Sequence, residues 1–292
     1  MKILLLGNTG QLGWELERTL APLGEVVGLD YPEIDLSNEK NTGEIVQRFH
    51  PQVVINATAY TAVDRAENER ELVFRINAEA PGILAEQARQ VSAVLVHYST
   101  DYVFDGSKGS AYQETDRPNP LNVYGESKLA GERAVEQAGN AYLILRTSWV
   151  YSLRRDSFVT KVLSWARQQP ALRLVSDQVS NPTWSRMLAE ITAQLLATAG
   201  PDAHAWVLER KGLYHLAGDG YASRLEWGKA ILQFDPKKEE QVTRAILPAA
   251  TADFPTPAVR PLFSALSCER FSATFGLRLP SWEKALQLAM RG

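Results

Sequence analysis

Tyr124 and Lys128 lie four residues apart in the stretch NVYGESKLAG, Asn122 to Gly131. On a helix that spacing stacks both side chains on one face. A free phenol has a pKa of about 10 and is a sluggish acid at neutral pH. A neighbouring ammonium favours the phenolate and lowers that pKa, toward the range general acid catalysis needs. Of the ten tyrosines, only Tyr124 has a lysine at this distance. Ser99 and Thr100, at the end of the apolar run SAVLVHYST, offer hydroxyls that can share a carbonyl oxygen with Tyr124 while hydride reaches the carbon. Lys128 can also bond a nicotinamide ribose. The chemistry these residues point to is carbonyl reduction. Without its neighbours, the pair reads more readily as a half-buried tyrosine beside an exposed lysine.

A second motif suits a dinucleotide. GNTGQLG places Gly7, Gly10 and Gly13 directly after the apolar run KILLLG. Glycines in a strand-to-helix turn let the backbone approach a pyrophosphate, whose charge the helix N-terminus then faces. The spacing is G-x-x-G-x-x-G, not the commoner G-x-G-x-x-G. No Lys-Ser/Thr pair follows, which excludes an ATPase-type phosphate loop. Asp30 ends the next apolar run, EVVGLD. A carboxylate there accepts hydrogen bonds from adenosine ribose hydroxyls and disfavours a 2′-phosphate. With no arginine in the next several residues, the pattern leans toward NADH.

The elements that position these residues alternate. KILLLG, EVVGLD, PQVVINATA, SAVLVHYST and AYLILRTSWVY read as strands, with helical patterns between them. The helix over SNEKNTGEIVQRFH is expected to be capped by Ser37 or Asn38. ERELVFRINAEAPGILAEQARQ is expected to be irregular at Pro81-Gly82. Strands this apolar, alternating with helices, imply a parallel sheet covered on both faces, hence an α/β, doubly wound, Rossmann-like fold. The strand ends Gly7, Asp30, Asn56–Ala59, Ser99–Asp101 and Thr147–Trp149 then share the ligand-binding edge. Residues 1–150 form the expected dinucleotide-binding domain, with a later strand near 172–176 added to its sheet. Residues 151–292 are expected to be mainly a smaller substrate-binding domain. There, SFVTKVLSWARQQ, TWSRMLAEITAQLLATAG, SRLEWGKAILQF, SCERFSATFG and SWEKALQLAM read as helices, GLYHLAG as a short strand and PAATADFPTPAVRPLFSAL as extended loop.

Composition narrows the function classes. The net charge is −3 and no Lys/Arg-rich run occurs, which argues against nucleic acid as a partner. No apolar run approaches a membrane span, and the N-terminus lacks the length of a signal peptide. The single cysteine, Cys268, excludes an internal disulfide and suits a reducing compartment, so the cytoplasm is the expected address.

GNTGQLG, Asp30, the Thr100 region and YGESK together resemble the extended short-chain dehydrogenase/reductase superfamily. Within it, STDYVFDG, PLNVYGESKLAGE, LRTSWVY and PTPAVRP resemble the dTDP-4-dehydrorhamnose reductase family, nearly end to end. The resemblance implies NADPH or NADH as cofactor and a dTDP-sugar as substrate. The product would be dTDP-L-rhamnose for cell-surface polysaccharide such as O-antigen. It implies Tyr124 as proton donor, Lys128 as its partner and Thr100 as a substrate-orienting hydroxyl. Gly7, Gly10, Gln11, Leu12 and Gly13 would hold the pyrophosphate, Asp30 the adenosine ribose, and Asp35 and Leu36 the adenine. Ala57, Ala59, Tyr60 and Thr61 would line the nicotinamide side. Thr61, Val63, Ser99, Asp101, Tyr124 and Trp149 would meet the sugar.

Some members of the family dimerise around Mg²⁺ held by acidic side chains. Glu15 and Glu190 match, but Arg186 stands where a further carboxylate is expected and would repel a cation. The four histidines, His50, His97, His204 and His215, are scattered without metal-ligand spacing. A homodimer fits the resemblance; a required metal is not expected. Two alternatives stay open. A dehydratase or epimerase shares the fold, though a dehydratase's Thr-Asp-Glu is here Thr100-Asp101-Tyr102. A non-catalytic regulatory subunit would turn nothing over.

Overall fold

The computed structural model describes residues 1–291. In chain order the first part runs β1 (Lys2–Leu6), α1 (Gln11–Leu20), β2 (Glu25–Leu29), α2 (Glu39–Phe49), β3 (Val53–Asn56), α3 (Val63–Ala66), α4 (Arg70–Phe74), α5 (Ala80–Gln90), β4 (Val94–Thr100), α6 (Val123–Ala138) and β5 (Tyr142–Thr147). The second part runs β6 (Val150–Tyr151), α7 (Phe158–Ala166), β7 (Ala171–Val175), β8 (Val179–Ser180), β9 (Thr183–Trp184), α8 (Ser185–Ala199), α9 (Ala203–Arg210) and β10 (Gly212–His215). It ends with β11 (Ala222–Ser223), α10 (Arg224–Phe234), β12 (Ala245–Ala249), α11 (Glu269–Phe275) and α12 (Trp282–Ala289).

Six strands form one all-parallel sheet in the order β10-β5-β4-β3-β1-β2. The strand order reverses at β1, so the crevice for a ligand opens between the ends of β1 and β3. Ile3 and Leu5 point to one face with Leu16, Leu188 and Leu195. Leu4 and Leu6 point to the other with Ile45, Val46 and Leu84. Each such fully buried aliphatic side chain contributes about 1.5–3 kcal/mol. Both faces are thus sealed, and the C-terminal edge of the sheet stays open to ligands. Among the described residues, no helix is long and apolar enough to cross a membrane.

Several expectations need correction. The strand near 172–176 does not join this sheet; β7 pairs in parallel with β12 in a separate two-stranded sheet. Its Ala171 and Arg173 are exposed while Leu172 and Leu174 are buried, a one-sided pattern unsuited to a sheet covered on both faces. The sixth place goes to β10, beside β5. Helices α8 and α9 also cover this sheet, α8 packing along α1. The first 150 residues therefore need residues 185–215 to complete their core. The irregularity in the third helical stretch is a π-turn at Arg75–Glu79, upstream of Pro81, where the proline's missing N–H and ring disturb the ladder of the preceding turn. Helix α9 (AHAWVLER) was not among the expected helices, although Asp202 caps it by accepting from the Ala205 amide. A separate buried core gathers Tyr151, Val162, Leu172, Trp227, Ile231 and Leu286 from the second part of the chain.

Candidate active site

A cleft of about 740 Å³ runs along the C-terminal strand ends. Gly7, Gly10, Gln11, Leu12 and Asp30 line one end, and Ala57, Thr58, Ala59 and Thr61 its middle. Tyr98, Ser99, Tyr124, Lys128 and Thr147 line the other end, joined by Val150, Arg155 and Asp156 from the segment that follows β5.

The glycine turn fits a pyrophosphate. Gly7 is left-handed (φ 85°) and its amide donates to the Leu29 carbonyl at 2.7 Å. A Cβ on Gly13 would stand 1.9 Å from the Gly7 carbonyl oxygen, so only glycine lets α1 start this close to β1. Gly10 caps α1 without a side chain, leaving the first helical amides at the cleft wall for an anion. Asp30 Oδ2 accepts from the Thr9 amide at 3.2 Å and from Thr9 Oγ1 at 2.5 Å, which ties the glycine turn to the end of β2. Asp35 and Leu36 do not line the cleft. Asp35 accepts from the Ser37 amide and hydroxyl, and Leu36 is buried in the core under β1.

The Tyr124 end of the cleft is set by the start of α6. Asn122 caps it, accepting from the Gly125 amide at 2.8 Å and donating to the Val259 carbonyl at 2.8 Å. A Cβ on Gly125 would lie 2.2 Å from the Tyr102 carbonyl oxygen, so the helix start is pressed onto the end of β4. That puts Tyr124 in the first turn, edge-on to Tyr102 with ring centroids 5.7 Å apart. The expected lowering of the Tyr124 pKa is not found. Burial pushes it up, and only the adjacent Thr100 hydroxyl pulls the other way. Lys128 turns inward instead and donates to the Tyr98 carbonyl at 2.7 Å. Burial pushes its own pKa down to about 8, against the pull of Glu132. Tyr124 therefore holds its proton, and Lys128 is the group near neutrality.

Behind them, Glu132 accepts from Arg146 Nε at 2.8 Å and Nη2 at 2.7 Å, and from the Ser99 hydroxyl at 2.5 Å. This fully buried triad locks β4, β5 and α6 together and fixes the Ser99 side chain.

Other expected residues fall elsewhere. Thr100 abuts Tyr124 but is buried, its hydroxyl donating to Asp101 and accepting from the Tyr102 amide. Asp101 does not face the cleft; it is 2% exposed and accepts from Ser180 at 3.0 Å and Ser264 at 2.6 Å. It staples the sheet to later segments, and burial raises its pKa to about 6. The Tyr60 hydroxyl donates to Glu69 at 2.6 Å, so Ala59 and Thr61 line the cleft without it. Val63 opens α3 and does not line the cleft. Trp149, left-handed at φ 39°, lines a separate cavity of about 290 Å³ with Phe158, Arg224 and Trp227. It stacks on Trp227, with the Arg224 guanidinium 3.6 Å above its ring. Thr58 and Thr147 line the cleft as the strand-end pattern expects, whereas Tyr98, Val150, Arg155 and Asp156 were not expected there. Tyr98 gives no signal beyond strand core, but Arg155 and Asp156 lie in a charged connector close to the end of β5. At the acidic pair, Arg186 donates to Glu190 at 2.9 Å, and its charge also acts on Glu15. Among the described residues, no three His, Cys, Asp or Glu side chains gather as a metal site.

A family model described as the RmlD substrate binding domain matches residues 1–291. The dTDP-4-dehydrorhamnose reductase of Burkholderia thailandensis is 42% identical over 294 residues, spanning 100% of this chain and 98% of that protein. A crystal structure of a dTDP-4-dehydrorhamnose reductase from Clostridium acetobutylicum superposes with TM-score 0.91 at 32% identity, over 100% of this chain and 99% of that one. That of the Bacillus anthracis dTDP-4-dehydrorhamnose reductase in complex with NADP gives 0.89 at 32% identity, over 100% and 99%.

Proposed function

This chain belongs to the RmlD family of dTDP-4-dehydrorhamnose reductases, and from that premise we propose that it reduces the C4 ketone of dTDP-4-dehydro-β-L-rhamnose to dTDP-β-L-rhamnose. The observation that carries the reading is one cleft lined by the glycine turn, Ser99, Tyr124 and Lys128 together. NADPH or NADH is the cofactor, and when bound it supplies the hydride. The amides at Gln11 and Leu12 hold its pyrophosphate, Asp30 its adenosine ribose, and Ala57, Ala59 and Thr61 the nicotinamide side. Thr61 faces the sugar, and Ser99 stands in the cleft wall with its hydroxyl held by Glu132. Tyr124 gives its O–H proton to the ketone oxygen, and Thr100 orients the phenol. A phenol kept protonated by burial arrives with the proton it must donate. A dehydratase would need a carboxylate where Tyr102 packs against Tyr124. We take the setting to be cytoplasmic, on the strength of the single unpaired Cys268.

The test is NADH and NADPH oxidation with dTDP-4-dehydrorhamnose, wild type against Tyr124→Phe. The expected loss in kcat is about 10²–10⁴-fold, with the dissociation constant of the cofactor nearly unchanged. Near-normal turnover in the variant removes Tyr124 from this role.

A further inference from the structure

A buried row of side chains runs behind the cleft from β3 through β4 to α6, and only its last member lines the cleft described above. Asn56, His97 and Lys128 are 1%, 0% and 2% exposed. Asn56 Oδ1 accepts from the Thr58 amide at 3.1 Å and the Thr58 hydroxyl at 2.5 Å. A backbone N–H can only donate, so that end of the Asn56 side chain is its carbonyl. The amide Nδ2 must then face His97, 3.2 Å from Nδ1. Since Nδ2–H donates, Nδ1 accepts, and the single proton of the neutral ring sits on Nε2. Nε2 lies 3.4 Å from Lys128 Nζ. An ammonium has donors only, so it opposes the Nε2–H. A neutral amine has a lone pair that receives it. The ring cannot respond by changing tautomer, because Nδ1–H would then confront the Asn56 amide.

We infer that His97, locked by Asn56 as its Nε2–H tautomer, is a positioning residue that favours the neutral amine of Lys128 and so makes the ammonium a readier proton source for Tyr124. Once Tyr124 has given its proton to the ketone oxygen, one proton passes from the Lys128 ammonium to the phenolate through solvent in the cleft that both residues line. That step leaves a phenol and a neutral amine, whose lone pair accepts from Nε2–H, and solvent returns a proton to the amine. The catalytic consequence rests on the reductase reading; the tautomer rests on hydrogen bonding alone.

The other groups around Lys128 do not cancel this effect. Glu132, one turn further along α6, favours the ammonium, but Arg146 from β5 engages both of its oxygens. The Tyr98 carbonyl of β4 accepts from Nζ whether or not it is charged. Tyr124 lies one turn earlier, and Arg155 and Asp156 line the same cleft. The Lys128 pKa already lies low, at about 8. Burial and the Lys128 charge hold His97 well below its ordinary value, which keeps the imidazolium out of the working range.

Nitrogen NMR of the full-length protein carrying ¹⁵N-histidine tests the tautomer without substrate. The expected result is a His97 proton on Nε2 and none on Nδ1; a proton on Nδ1 overturns the inference. Carbon NMR at Lys128 Cε and the pH profile of kcat/KM test the consequence. In His97→Leu the Lys128 titration and the high-pH limb should move up by about one pH unit, the donor facing the ammonium being gone. Asn56→Asp should move them the same way, because a carboxylate accepts from Nδ1–H and frees Nε2 to accept from the ammonium. If either variant is only less stable, with the Lys128 titration unmoved, the role is structural and the inference falls. Failure of the reductase reading looks different: the wild type would not oxidise NAD(P)H with the keto-sugar, while both NMR readouts stand.

Discussion

Glu132→Gln removes one charge from the buried ion pair behind the cleft. Glu132 and Arg146 are each 2% exposed, and the carboxylate meets Arg146 through two bonds of 2.7–2.8 Å. Glutamine keeps the shape but turns an amide donor toward one guanidinium N–H. Losing one partner of a buried pair leaves the other charge uncompensated, at a cost of about 3–5 kcal/mol. The Phe104 ring, 5.0 Å from the Arg146 guanidinium, offsets part of this, so the lower end, about 3 kcal/mol, is expected. At about 2 °C per kcal/mol for a chain of this size, Tm should fall by about 6 °C. Circular dichroism melts and urea titrations measure it. The same change withdraws the negative charge that favours the Lys128 ammonium, so the high-pH limb of kcat/KM should move down. The double variant Glu132→Leu/Arg146→Met should recover most of the stability, since a packed apolar pair avoids the desolvation of two ions. A Tm within about 2 °C of wild type, with the limb unmoved, would show that the triad neither holds the sheet to α6 nor biases Lys128.

Asp30→Ser should shift cofactor preference toward NADPH on the order of tenfold, one charge–phosphate repulsion being about 1.4 kcal/mol; the ratio of kcat/KM for the two cofactors reads it, and an unchanged ratio contradicts the ribose assignment. Gly13→Ala forces a methyl to within 1.9 Å of the Gly7 carbonyl, so dinucleotide affinity measured by fluorescence titration should fall at least tenfold, about 1.4 kcal/mol; retained affinity refutes the close-approach argument. His215 is buried beside the Arg146 charge, which takes its pKa from 6.5 to about 3. Because that value is depressed, the unfolded chain takes up the proton first, so the stability is complete above about 6.5 and is lost as pH falls toward 3. Between pH 6.5 and 5 the loss is about 2 kcal/mol, and His215→Leu should show a shallower slope in urea titrations at the two pH values; equal slopes would refute it.

Much of the fold was legible in local pattern. Runs such as KILLL and VVIN, buried on both faces, announce a parallel sheet because they alternate with helices that cover both of its faces. Asn122 before VYGESK, and the glycines after KILLL, announce helix starts because caps and tight turns depend on one or two residues. The glycine-turn half of the cleft follows directly, being made of strand ends in sequence order.

The sequence by itself therefore determined the element types, the glycine turn and the pairing of Tyr124 with Lys128 on one helix, since each depends on residues a few positions apart. Tertiary structure alone decided which strand took the sixth place, that Asp101 serves as a staple to Ser180 and Ser264, and which way Lys128 points. Those outcomes depend on partners 30 to 163 residues distant, and on burial, which reverses the expected direction of the Tyr124 pKa. Spacing along a chain carries neither the identity of a distant partner nor the loss of water around a group, and these two quantities set the chemistry of the cleft.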